Sequence, residues 1–141
     1  MRPVLYDTSI YVAALRGGDG AILDARRVAG NPVWLSAVVL EELYAGANER
    51  SRKLVQALER DFMRTRRMLV PNAGDWAQAG RVLARLGAMY GYEEIGRGRL
   101  TNDALIATTA ARAGMTVITA NSKDFARLAE FRNFHWMLVT A

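Results

Sequence analysis

Four acidic positions in this chain fall where acids are costly. Asp7 closes the apolar run Val4-Leu5-Tyr6, and Asp124 follows Thr116-Val117-Ile118-Thr119. Asp103 opens the otherwise apolar stretch Ala104-Leu105-Ile106-Ala107, and the pair Glu41-Glu42 interrupts Val38-Val39-Leu40 and Leu43. A buried carboxylate is unfavourable unless something pairs with it. Carboxylates that converge also raise one another's pKa unless a cation neutralises them. Oxygen-only ligands select a hard divalent ion, Mg²⁺ or Mn²⁺, rather than zinc. Such an ion lowers the pKa of a bound water and stabilises charge developing on a phosphoryl group. The chemistry these acids point to is metal-assisted hydrolysis of a phosphate ester.

Each acid also has a local explanation. Asp7 can end a strand and accept backbone N–H bonds, while Asp103 and Asp124 suit the positive end of a helix dipole. The conjunction argues for more, because all of them fall at an element end or on an inward face. Glu42 has Val38, Val39, Ala45 and Gly46 three and four residues away, all apolar or small. Glu41 has Ala37, Val38, Tyr44 and Ala45, so periodicity alone leaves the choice between the two glutamates open.

The elements that must position these acids follow from hydrophobic spacing and caps. Short apolar runs at Val4–Asp7, Val33–Leu35, Met68–Pro71, Thr116–Thr119 and Trp136–Val139 read as strands. Helices are expected from Ser9 to about Arg16 behind Thr8 as cap, across Ala21–Ala29, and from Ser36 to about Ala47. Further helices are expected over Arg50–Arg66, Asp75–Tyr90, Thr101–Ala113 and Ser122–Ala129. Gly91 to Gly98 reads as a loop, and Gly114 stops the helix that carries Asp103. Strands alternating with helices imply a parallel sheet covered on both faces. Ligands in such sheets gather at the carboxyl ends of the strands, where Asp7 and the Thr119–Asp124 segment lie.

The bulk composition narrows the class. The 141 residues are 51% hydrophobic and 23% charged, which fits one globular domain spanning 1–141 rather than a disordered chain. The chain has no cysteine, which removes disulfides and thiolate metal sites. No apolar stretch has the length of a membrane span and no signal peptide precedes Pro3-Val4-Leu5, so a cytoplasmic protein is expected. The formal charge is +5, and only Lys53 and Lys123 among the 19 basic residues are lysine. Arginine suits planar contacts to phosphate, although an arginine-rich composition also arises without function.

The quoted segments resemble the PIN-domain family. The resemblance rests on Leu5-Tyr6-Asp7-Thr8-Ser9, Ser36-Ala-Val-Val-Leu-Glu-Glu42-Leu-Tyr-Ala-Gly46, Asn102-Asp103-Ala-Leu-Ile-Ala107 and Thr119-Ala-Asn-Ser-Lys-Asp124-Phe125. Their order and spacing are most similar to VapC-type toxins of bacterial toxin–antitoxin pairs. The resemblance implies a three-layer α/β/α sandwich with a mainly parallel central sheet, and a Mg²⁺-dependent endoribonuclease site. It matches Asp7, Glu42 and Asp103 to the first three family acids and so selects Glu42 over Glu41. Many relatives carry an acid at the position of Asn121; others have Asn there and an acid three residues later, as Asp124 stands here. The implied catalytic set is therefore Asp7, Glu42, Asp103 and Asp124, supported by Thr119 and Asn121. Asp7 and Asp103 would hold Mg²⁺ (or Mn²⁺) directly, and RNA cleavage would leave a 5′-phosphate. The implied partners are an RNA substrate, a cognate antitoxin and a second copy of the chain.

The basic run Arg50, Arg52, Lys53, Arg60, Arg64, Arg66 and Arg67 reads first as a solvated helix face, with an RNA backbone as the functional alternative. Arg97 and Arg99, shortly before Asp103, are better placed to meet substrate. His135 reads as a packing or surface residue, and Tyr6, Tyr11 and Tyr44 as core or interface aromatics rather than base-stacking platforms. A catalytically degenerate PIN module that acts by protein binding is the alternative function, and Asn121 is its main support. An aspartate-phosphorylating domain fits poorly: a phosphatase of that type wants an acid where Ser9 stands, and a receiver wants one where the chain reads Pro71-Asn72.

Overall fold

The computed structural model describes residues 2–17, 31–93 and 100–139. The expected helix over 21–29, the body of the loop ending at Gly98, and Arg97 and Arg99 lie outside the described residues. Five strands, β1 (Val4–Tyr6), β2 (Val33–Ser36), β3 (Met68–Leu69), β4 (Thr116–Thr119) and β5 (His135–Leu138), form one sheet in the order β3-β2-β1-β4-β5. Every pairing is parallel, with Val4 opposite both Val33 and Thr116, Leu35 opposite Met68, and Val117 opposite Trp136.

Six helices are described: α1 (Thr8–Gly17), α2 (Ala37–Ala45), α3 (Glu49–Arg64), α4 (Ala73–Tyr90), α5 (Leu100–Ala113) and α6 (Ser122–Ala129). With the sheet they make the three-layer α/β/α sandwich that the family resemblance implied. Parallel strands are buried on both faces, which is why β1 and β2 read as continuous apolar runs rather than alternating ones. Leu5, Leu35, Val39, Leu105, Ile106 and Val117 sit at the centre of the core, each essentially inaccessible to solvent. Burying one such side chain contributes about 1.5–3 kcal/mol relative to exposure.

Caps move several boundaries from their expected places. Asn48 and Ser51 form a capping box that starts α3 at Glu49, and Thr65 ends it before Arg66, whose φ is 58°. Asn72 and Asp75 form a second box, so α4 starts at Ala73 rather than at Asp75. β3 stops at Leu69, two residues before Pro71, which has no N–H to donate to a ladder. Gly114, at φ 71°, ends α5 where the sequence reading placed the stop.

The strand order has one consequence for the site. The chain builds outward from β1 through β2 to β3 on one side and through β4 to β5 on the other. The switch in direction therefore lies between β1 and β4, and the crevice beyond their carboxyl ends is where such sheets take ligands. Asp7 and Thr119 flank it.

Candidate active site

Asp7 follows the last residue of β1 and directly precedes α1. Its N–H donates to the carbonyl of Ile118 in β4, at 3.0 Å, and its own carbonyl accepts from Ile10, at 3.2 Å. Strand pairing and helix start thus hold its backbone from both sides. The residue is only 3% exposed. Thr119 Oγ1 donates to Asp7 Oδ2 at 2.7 Å, and Ser9 Oγ donates to Oδ1 at 2.5 Å. Desolvation pushes the Asp7 pKa up, and these hydroxyl bonds, with the N–H groups of Ile10 and Ser9, pull the other way. Thr8, expected to cap α1, is instead its first residue, and its hydroxyl donates to Glu42 Oε1 at 2.7 Å.

Glu42 lies on α2, which Ser36 caps by accepting the N–H of Val38. Its neighbour Glu41 is exposed and accepts a 3.3 Å bond from Asn102 Nδ2. The two glutamates therefore face different surroundings: Glu42 turns toward α1 and Asp103, Glu41 toward solvent and Asn102.

Asp103, in the first turn of α5, brings the others together electrostatically. Its pKa is pushed up to about 8, first by burial and then by the negative charges of Asp7, Asp124 and Glu42. The other three acids thus all act on Asp103. None of the four forms an ion pair with a basic side chain among the described residues. On the far side, Asn121 caps α6 and holds Asp124 by donating from Nδ2 to Oδ2 at 2.8 Å. The Asn121 N–H in turn donates to Thr119 Oγ1 at 2.8 Å, so the chain of bonds Asp124–Asn121–Thr119–Asp7 is continuous.

The donor set is all oxygen, and its uncompensated negative charge is what a hard divalent cation relieves. In chemistry the four residues fit such an ion. Among the described residues, however, no three Asp, Glu or His side chains stand close enough to form a ready-made metal cage. Each carboxylate for which a bond is described is held by a hydroxyl or amide: Asp7 by Ser9 and Thr119, Glu42 by Thr8, Asp124 by Asn121.

The sequence reading gave Thr8 only a capping role and Ser9 only the start of a helix, and neither a part in the site. Their signal was present: two hydroxyl residues directly after a strand-end acid, in the first turn of a helix, are within reach of that acid and its neighbours. Asp75 carries the opposite lesson. It is 3% exposed, yet its bonds go elsewhere: it completes the capping box of α4 and pairs with Arg112 Nε at 2.9 Å from both oxygens. A buried acid by itself is not a site. His135 is exposed on β5, and Tyr6 and Tyr11 are buried and stacked edge to face at 5.9 Å, as their readings expected.

Comparison with known proteins converges on one family. No curated protein sequence matches the chain significantly. Solved structures similar to it include VapBC2 from Rickettsia felis bound to a promoter DNA fragment, at 23% identity and TM-score 0.59, covering 96% of this chain and 98% of that one. DNA-bound VapBC from Salmonella typhimurium aligns at 20% identity and TM-score 0.60, over 97% and 98% of the two chains. FitAcB from Neisseria gonorrhoeae aligns at 18% identity and TM-score 0.60, over 95% and 96%. The family model described as PIN domain matches residues 4–131, the span that holds all four acids. The chain belongs to the PIN-domain family.

Proposed function

We propose that this protein is a divalent-cation-dependent endoribonuclease and the toxin of a toxin–antitoxin pair. Membership of the PIN family supports a hydrolase acting on nucleic acid. The observation that carries the reading is the acid cluster itself: the charges of Asp7, Glu42 and Asp124 act on Asp103, and none of the four carboxylates has a basic partner among the described residues. A protein that needed this corner only for folding would gain by neutralising it.

In this reading Asp7 and Asp103 would hold Mg²⁺ or Mn²⁺, and Glu42 and Asp124 would orient the attacking water beside it. When bound, the ion supplies a water of lowered pKa and charge stabilisation at the scissile phosphate. Thr119 and Ser9 fix the Asp7 carboxylate, Thr8 fixes Glu42, and Asn121 fixes Asp124. These bonds hold the oxygens in place before substrate arrives, which lowers the reorganisation needed at reaction. The structural neighbours are VapBC and FitAB-type assemblies, several of them on DNA, which supports an antitoxin as the partner of this chain. A homodimer belongs to the same proposal and is checked by light scattering, where a monomer at all concentrations would count against it.

Asn121 favours a second reading, a PIN module that binds protein without cutting RNA. RNA incubated with Mg²⁺ or Mn²⁺ and either wild type or Asp7→Asn separates the two. Cleavage abolished by the substitution supports the nuclease. Cleavage untouched by it, or absent from the wild type, removes that reading.

A further inference from the structure

Beyond the acid cluster, a groove of about 420 Å³ runs from Glu42 between α1, α2 and α3. Val12, Leu15 and Leu54 give its walls an apolar surface, while Arg16 and Arg50 stand on it from opposite helices. Both arginines are exposed, and neither makes an ion pair or side-chain hydrogen bond among the described residues. Arg52 and Lys53 extend the positive charge along the start of α3, whose first turn also carries Glu49. That is the positive end of the helix dipole, where cations forgo the stabilisation they would have at the other end. A docked anion would offset this cost.

We infer that the groove seats the RNA strand beside the scissile phosphate, one base against Val12, Leu15 and Leu54 and the flanking phosphates on Arg16 and Arg50. The inference rests on the nuclease reading and adds to it the path of the substrate. Three observations carry it together. The groove adjoins the acid cluster, because Glu42 lines it and accepts a 2.7 Å bond from Thr8, the residue after Asp7. Its volume lies at the lower end of the 300–1,000 Å³ typical of single-ligand sites, room for a nucleoside rather than a duplex. Its charge is also the complement of what the acids do to a polyanion. Carboxylates at the reacting centre repel phosphates, and guanidinium groups on the adjoining groove recover the approach. An arginine face also stacks on a base as readily as it binds a phosphate.

The test is binding of a short fluorescein-labelled single-stranded RNA in EDTA, which keeps it uncut, over a range of salt concentrations, followed by cleavage kinetics with Mg²⁺. The variants are Arg16→Ala, Arg50→Ala and Gly46→Leu, with Arg85→Ala, an exposed residue of α4, as control. Gly46 lines the groove at φ −95°, and a Cβ there would meet nothing nearer than 3.5 Å, so leucine fills the space without backbone strain. Each arginine variant should weaken RNA binding several-fold and reduce the salt slope by about 0.7, the value for one single-strand phosphate contact. Both should raise KM and leave kcat nearly unchanged. Gly46→Leu should weaken binding with no change in salt slope, and Arg85→Ala should change nothing.

If wild type binds and cuts RNA but the groove variants behave like it, the groove assignment falls and the nuclease reading stands. That is the result expected of a groove that seats a protein helix instead. If wild type neither binds nor cuts RNA, both fall.

Discussion

Thr119 Oγ1 donates a 2.7 Å hydrogen bond to Asp7 Oδ2 across the point where the sheet changes direction. The bond ties the end of β4 to the end of β1, and one of its partners is a buried carboxylate. It resists the effect of burial on Asp7, whose pKa would otherwise rise further. Thr119→Val keeps the shape and removes the donor. A hydrogen bond to a charged group is worth about 1.5–3 kcal/mol, so kcat/KM for RNA cleavage should fall roughly ten- to a hundredfold. Thr119→Ser should recover much of the loss.

The two adjacent glutamates should separate in the same assay. Glu42→Gln removes the charge that acts on Asp103 and leaves an amide oxygen able to accept from the Thr8 hydroxyl. Loss of a group that orients or deprotonates water lowers rate by about 10²–10⁴-fold. Glu41→Gln, on the exposed face, should change kcat/KM by no more than about twofold, within the scatter of surface substitutions.

Asp103 makes stability depend on pH in a stated direction. Its folded pKa, about 8, lies above its ordinary value of 3.8, so the native state binds the extra proton between those limits. The stability linked to that proton is whole below about pH 4 and is lost as pH rises through 8. In metal-free protein, Asp103→Asn should flatten this decline. At pH 8 it should raise Tm by several degrees, on the scale of about 2–4 °C per kcal/mol. A thermal melt series from pH 5 to 9 with both proteins checks this, and a variant less stable than wild type at pH 8 would contradict it.

Asp75 should behave in the opposite way. Asp75→Ala deletes one half of a capping box and leaves Arg112 without its buried partner. The cap alone is worth about 1 kcal/mol, and losing the pair with half-exposed Arg112 adds about 0–1 kcal/mol, so urea denaturation should show a loss of roughly 1–2 kcal/mol. Cleavage per folded molecule should not change.

The sequence made the strand–helix alternation legible because both faces of a parallel sheet leave uninterrupted apolar runs, as in Val4-Leu5-Tyr6 and Thr116-Val117-Ile118. Helix starts were less legible. Asn48 and Asn72 cap through side-chain bonds that apolar periodicity does not register, so α3 began one residue early and α4 two. The four acids could be singled out because each interrupts an apolar setting. Their mutual electrostatic contact could not, since residues 7, 42, 103 and 124 meet only through the sheet order. Nor could periodicity divide Glu42 from Glu41, because α2 has apolar neighbours on both sides; that separation needed Thr8 and Asn102, which come from other elements.

Calorimetric titration of Mn²⁺ into the metal-free protein at pH 7 tests most directly whether the four carboxylates share one cation. Asp103 is largely protonated at that pH, so wild type should bind the ion with release of a proton, seen as a dependence of the heat on the buffer's ionisation enthalpy. Asp103→Asn and Asp7→Asn should each lose the binding. An absence of Mn²⁺ binding by wild type at millimolar concentration, or binding that survives both substitutions, would contradict the account.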